Sequence, residues 1–151
     1  MANTQAFCSA AKVALLNGQH AFGTAVVRGG TGADTFKAAL YLVSATVDKD
    51  STVYTSTGEV TGTGYTAEGV AIGAFTAPAD DADTAHTTPT ASIVYTNVTL
   101  GTAFNAVMIF NSTNSDQAVS VHTFGSQTVT AGDFTLTMPT NDGSTGLIRI
   151  A

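Results

Sequence analysis

Apolar and polar positions alternate along this chain with two different periods, and the change of period marks out its elements. From Thr4 to Asn17 the residues Phe7, Ala10, Ala11, Ala14 and Leu15 recur at helical spacing. Asn3 stands where an N-cap belongs and Gly18 where a left-handed residue closes a helix. The pattern predicts a helix whose apolar face covers a sheet, or an arm that docks on a neighbour. A short strand is expected from Ala21 to Val27, then a glycine loop from Arg28 to Asp34. From Thr35 to Ser44 the period becomes two. Phe36, Ala38, Leu40 and Leu42 share one face, and Lys37, Ala39, Tyr41 and Val43 the other. Both faces are largely apolar, which predicts a central strand.

Asp48 to Ser51 reads as a turn, and Tyr54 to Ala67 as a compact loop with short extended pieces. A strand is expected from Val70 to Phe75. Ala77 to Pro89, acidic and proline-bounded, reads as an exposed loop. In the C-terminal half, Ser92 to Leu100 predicts a strand with one irregularity, and Ala103 to Phe110 a buried one. After the turn cluster Asn111 to Asp116 come strands at Ala118 to Phe124, Gln127 to Thr130 and Phe134 to Met138, the last with Phe134, Leu136 and Met138 inward. Ala131-Gly132-Asp133 separates the last two. Asn141 to Ser144 is a further turn, and Leu147 to Ile150 a closing strand. About eight short strands predict a mainly β fold: a single-domain antiparallel sandwich or barrel, jelly-roll-like, with one short N-terminal helix. The helix or arm takes residues 1–20 and the β domain 21–151.

Composition sharpens this reading. Charged residues are 11% of the chain against about 25% in an ordinary domain, and 27 threonines fill their place. Threonine suits a half-buried pleated surface, and its hydroxyl is cheaper to desolvate than a charge. Such a surface fits a face meant to be covered, or simply a β domain with polar strand faces. The net charge is -6, and the basic residues Lys12, Arg28, Lys37, Lys49 and Arg149 are scattered. Nucleic acid and an anionic membrane surface are therefore not expected as partners. Met1 to Gln5 has no basic or apolar leader character, and no apolar run reaches membrane-span length. The glycosylation patterns at Asn97 and Asn111 are accordingly read as chance. Cys8 is single, so no internal disulfide forms.

The search for chemistry assigns no catalytic, cofactor-binding or metal-binding residue, and no cofactor is expected. No glycine precedes a lysine as a phosphate loop requires. Gly62 to Ala67 matches a loose dinucleotide fingerprint but leads into a strand, not a helix. There is no Gly-x-Ser-x-Gly elbow, and Cys8 reads as a small buried hydrophobe. His20, His86 and His122 lie too far apart in sequence for paired-ligand spacing. Asp80, Asp81 and Asp83 read as a solvated acidic loop, with a hard cation as the alternative. Glu59 and Glu68 are the only glutamates, and the absence of tryptophan weakens a sugar-binding reading. That reading would rest on an exposed cluster of Tyr54, Tyr65 and Tyr95.

Several stretches carry a likeness beyond periodicity. Thr57-Gly58-Glu59-Val60-Thr61-Gly62-Thr63-Gly64-Tyr65-Thr66-Ala67-Glu68-Gly69 resembles a segment of small structural proteins of tailed bacteriophages. Phe36 to Leu42, Ala106 to Ser112 and Phe134 to Pro139 fit the same pattern, and the likeness runs from about Leu15 to the C-terminus. The loops Gly29 to Gly32 and Asp80 to Asp83 look like local elaborations. The resemblance implies a non-enzymatic virion protein, made in the host cytoplasm, that decorates or cements the head shell. It would bind the major capsid protein or other virion proteins and form a homo-oligomer. A tail or fibre component, or a receptor- or glycan-binding β module, is the alternative.

Overall fold

A computed structural model describes residues 2–16, 18–22, 33–81 and 83–151. It is mainly β, with two antiparallel sheets and, among the described residues, one short helix. The elements in order are β1 (Ala6–Phe7), α1 (Ser9–Leu16), β2 (Phe36–Leu42), β3 (Val70–Ala71), β4 (Ala79–Asp81), β5 (Thr84–Thr87), β6 (Ile93–Asn111), β7 (Gln117–Leu136) and β8 (Ile148–Ile150). One sheet has the order β1-β7-β6-β2-β3 and the other β4-β5-β8. The layers make a sandwich-like arrangement, and among the described residues no barrel closes.

The predicted central strand is β2. It pairs antiparallel with β6 along its whole length and with β3 at Lys37 and Ala38. Its alternation places Ala39 and Tyr41 in one core, with Ala106, Met108 and Phe110. Ala38 and Leu40 enter a second core, with Tyr95, Leu100 and Phe104. A third core gathers Phe22, Phe36, Phe75, Ile109, Val119 and Ile148. There Phe22 stacks on Phe36 at 4.8 Å, and Phe75 meets both rings edge-on.

The expected succession of short C-terminal strands is instead one long hairpin. β6 and β7 have 19 and 20 residues and stay paired from Ile93↔Leu136 to Asn111↔Gln117. The turn is where the sequence predicts it: Asn111 Oδ1 accepts the amides of Thr113 and Asn114. Ala131-Gly132, expected to separate two strands, sits inside β7 where the register shifts, and so does Gly125, between the strands expected to end at Phe124 and to begin at Gln127. Asn97 and Ala131 take positive φ of 51° and 45° at such shifts. Bulges use the same residues as turns, but they bend a strand without ending it. The bent ribbon curls its inner face, Phe124, Val129, Phe134 and Leu136, over the second core.

The N-terminus also departs from expectation. The helix begins at Ser9, not Thr4, because Ala6 and Phe7 pair with Val121 and Ser120 on the edge of β7. Asn3 is no cap: its amide donates to Leu42 O and Asn105 Oδ1, and its Oδ1 accepts the Val47 amide. The helix does end as predicted. Gly18 N–H reaches Leu15 O, and Gln19 N–H reaches Ala14 O. Cys8, Ala11 and Ala14 are fully buried, small enough to let the chain lie close on the sheet.

The expected exposed loop from Ala77 to Pro89 contains β4 and β5, and β5 pairs with β8. His86, Thr87 and Thr88 are buried there. Threonine hydroxyls stand in for strand partners: Thr87 donates to Thr76 O, Thr76 to Thr88 O, and Thr88 Oγ1 accepts the Leu147 amide. The strand expected from Val70 to Phe75 shortens to Val70–Ala71, with Phe75 returning only as a bridge to Pro89. Most of the strand and loop expected between Ala21 and Asp34 lies outside the described residues. Ala21 and Phe22 themselves are not in a strand.

Candidate functional site

The patterned loop from Tyr54 to Gly69 lies along the edge of β2 and is pinned by one buried carboxylate. Its backbone continues the sheet: Leu42 N–H donates to Gly58 O at 2.9 Å, and Val60 N–H to Leu40 O at 3.0 Å. Between them Glu59, 8% exposed, turns its side chain inward. Its Oε2 accepts the Tyr54 hydroxyl at 2.5 Å. Its Oε1 accepts the Tyr65 hydroxyl and the Glu68 amide, both at 2.8 Å. The Tyr65 oxygen in turn accepts the Leu40 amide at 3.0 Å, closing a relay from carboxylate to central strand. Tyr41 donates to Thr55 O and Tyr95 to Ala38 O, so four tyrosines meet around this loop. At the rim, Lys37 Nζ pairs with Glu68 at 2.5 Å.

Two glycines allow this close seating. A Cβ at Gly69 would lie 1.7 Å from Ala38 O, and one at Gly64 would lie 2.4 Å from Asn97 O. Both residues also hold positive φ, 71° and 78°, which L side chains resist. The glycine spacing in the sequence is thus a record of backbone lying directly on backbone.

Burial, and then the bond to Glu59, pushes the Tyr54 phenol up to about 12. Burial pushes Tyr41, Tyr65 and Tyr95 further up, so all four phenols are protonated at neutral pH. The three donors that Glu59 accepts all come from the loop itself. Glu59 is a structural pin. The exposed tyrosine cluster required for glycan binding is absent in this form: Tyr95 is 1% exposed, and Tyr65 stacks against it at 5.9 Å with its hydroxyl turned to Glu59.

The histidines occupy separate surroundings. His20 Nδ1 accepts from the amide of Asn111, which also donates to Asp34 Oδ2. Buried His86 shares a hydrogen bond with Asn141. His122, on β7, lies between two cavities of about 160 and 210 Å³. Its Nε2 is 2.9 Å from Ser120 Oγ, the distance of a nucleophile and its base. Burial, however, pushes His122 down to about 4, which makes it a weak base, and Ser120 is itself buried. Cys8 is buried, and its thiol is pushed up to about 11 by burial and then by Asp48. Asp80 and Asp81 are exposed on β4, and Asp83 is exposed in the turn after it at φ 65°. Among the described residues no group of three or more His, Cys, Asp or Glu is placed to hold a metal ion, and no helix is long and apolar enough to cross a membrane.

Sequence reasoning named Glu59 as one of two glutamates and as part of the patterned stretch Thr57 to Gly69, without a role, and passed over Asn3, Asp34 and Ser120 as site residues. The available signal for Glu59 was its setting, a lone acid between Gly58 and Val60 in a loop with Tyr54 and Tyr65. Compared with protein-family models, with curated proteins and with solved structures, the chain finds no match in any of the three.

Proposed function

We propose that the chain is a structural protein of a tailed-bacteriophage particle that cements the head shell through protein–protein contacts. The observation that carries this reading is the surface of the long hairpin. From Ile93 to Met138 the only charged residues are Asp116 and Asp133, and the exposed positions of the two strands are otherwise uncharged, Thr96, Thr102, Thr128, Thr130 and Thr135 among them. Depletion of charge is the compositional mark of surfaces that become interface cores. The polar groups of the interior support the same reading, since Glu59, His86 and Asn111 are engaged in bonds that hold the fold together. A rigid β wedge that adds buried area across a capsid seam opposes its opening. The gain is roughly 25 cal/mol per Å² of apolar surface before association costs, multiplied by avidity over many copies.

Mass spectrometry of gradient-purified particles is the test. The chain is expected in many copies per particle, and particles lacking it are expected to lose heat resistance. Recovery from infected-cell lysate alone, with none in particles, refutes the proposal.

A further inference from the structure

We propose that the smaller of the two cavities beside His122 binds an uncharged molecule the size of one six-membered ring, carrying a single hydrogen-bond acceptor. The proposal goes beyond the virion reading and stands or falls without it. On β7, Ser120, His122 and Phe124 alternate onto one face of the larger sheet. Opposite them on β6 stand Ile109, paired with Ser120, and Val107, paired with His122. Leu147 and Ile148, at the closing strand, pack over this face. Space remains between the layers, in two cavities of about 160 and 210 Å³ that His122 and Leu147 both wall.

Ser120 fixes what His122 offers to an occupant. Ser120 is 2% exposed, and among the described residues the one hydrogen-bond partner of its hydroxyl is His122 Nε2, at 2.9 Å. A buried hydroxyl places its single proton on a partner. Ser120 therefore donates to Nε2, and the ring's own proton sits on Nδ1. No hydrogen bond from a described residue reaches Nδ1. Burial pushes His122 down to about 4, so at neutral pH the ring carries no charge. The side chain thus presents one neutral donor at the cavity wall.

Size and lining select the ligand. Val107, Ile109, Phe124, Leu136 and Leu147 give the smaller cavity apolar walls, beside two threonines, and His122 is its only titratable group. Its volume of about 160 Å³ is close to that of an apolar cavity of roughly 150 Å³ that takes up one benzene molecule. A charged ligand is disfavoured, because these walls hold no ion to pair with it. The larger cavity differs: Gln5, Ser120 and Arg149 enter its wall. The Arg149 guanidinium there already donates to Gly143 O and Ser144 O. The smaller cavity is partly open to solvent, so entry needs no unfolding. An apolar ring fills it, and one acceptor on that ring meets the donor of His122.

The test is a titration with benzene and with pyridine at mildly alkaline pH, where pyridine is uncharged, followed by methyl and nitrogen NMR. The two probes share one ring size and differ in a single acceptor. Each is added to about 10 mM, a range suited to ligands this small. Saturable shifts are expected at the methyls of Val107, Ile109, Leu136 and Leu147. Pyridine should bind about threefold or more tightly than benzene, the worth of one modest hydrogen bond. The His122 proton should be found on Nδ1 and should shift with pyridine alone. Benzoate, the same ring with a charge, should bind at least about tenfold more weakly than pyridine. His122→Leu should still bind benzene and lose the preference for pyridine, while Leu147→Phe, which fills the cavity, should bind neither. A parent chain with no saturable shift at these methyls holds only water there and overturns the proposal whatever the variants do. So does benzene bound as tightly as pyridine, benzoate bound as tightly as pyridine, or a His122 proton on Nε2. A folded His122→Leu that keeps the preference, or a folded Leu147→Phe that binds like the parent, overturns it as well.

Discussion

Tyr54 and Tyr65 donate to the same carboxylate, yet removing their hydroxyls should have unequal consequences. Tyr54→Phe removes one donor from Glu59 Oε2 at a partly exposed position, where water can replace it. The expected cost is about 1 kcal/mol. Tyr65→Phe removes the matching donor from Oε1 and also the acceptor of the Leu40 amide. Leu40 is fully buried in β2, so its N–H is left without a partner. An orphaned buried donor costs about 1–3 kcal/mol, which brings the total for Tyr65→Phe to about 2–4 kcal/mol. Phenylalanine keeps the ring and its stacking on Tyr95, so little of this difference is packing. For a chain of this size the larger cost lowers Tm by about 10 °C. Urea unfolding at constant m-value measures both variants, and hydrogen exchange at the Leu40 amide should accelerate only in Tyr65→Phe. Equal destabilisation by the two changes, or an unaltered Leu40 amide, refutes the relay.

Three further outcomes follow from the same geometry. Gly69→Ala should lower stability by more than about 3 kcal/mol or abolish folding, because the new carbon meets Ala38 O at a positive φ; circular dichroism and urea titration measure it. His122 sits near 4 in the folded chain against 6.5 for an ordinary histidine, so the unfolded state takes up the proton first. Stability is then complete above about 6.5 and falls as pH drops toward 4, by up to about 3 kcal/mol, and His122→Gln should flatten that slope in urea titrations between pH 7 and 4.5. Cys8, buried and with its thiol pushed up to about 11, should resist a thiol-reactive dye in native buffer and react fully in denaturant; rapid native labelling counts against its burial.

The central strand, the turn at Asn111 to Asp116, the closing strand and the helix end at Gly18 were all legible, because each rests on a local rule of period or cap. The long hairpin was not. Gly125 and Ala131-Gly132 mark bulges, and bulges and turns draw on the same residues, so local composition could not separate a bend from a break. The β4–β5 hairpin was lost for a related reason. Asp80, Asp81 and Asp83 read as solvated, and they are, but the strand beside them buries His86 and Thr87 against β8, far away in sequence. The start of the helix was misplaced because Ala6 and Phe7 satisfy either period, and only the free edge of β7 decides between them. The glycine and tyrosine pattern around Glu59 stood out as a motif. Its direction did not, since a tyrosine beside a strand reads the same whether its ring meets solvent or a buried carboxylate.

The hub and the ribbon are joined by rings, which makes their independence a test in itself. Tyr65 stacks on Tyr95, Tyr95 lies 6.0 Å from Phe134, and Phe134 meets Phe104 edge-on at 4.9 Å. This chain of contacts runs from Glu59 to the inner face of the ribbon. Tyr65→Phe keeps every ring in that chain and removes only a hydroxyl. Its cost should therefore stay at the pin: hydrogen exchange should accelerate at the Leu40 amide and not at the amides of Tyr95 and Phe134. Acceleration at all three together would mean that the Glu59 pin sets the curvature of the ribbon, and hub and ribbon would then open as one cooperative unit, not two independent ones.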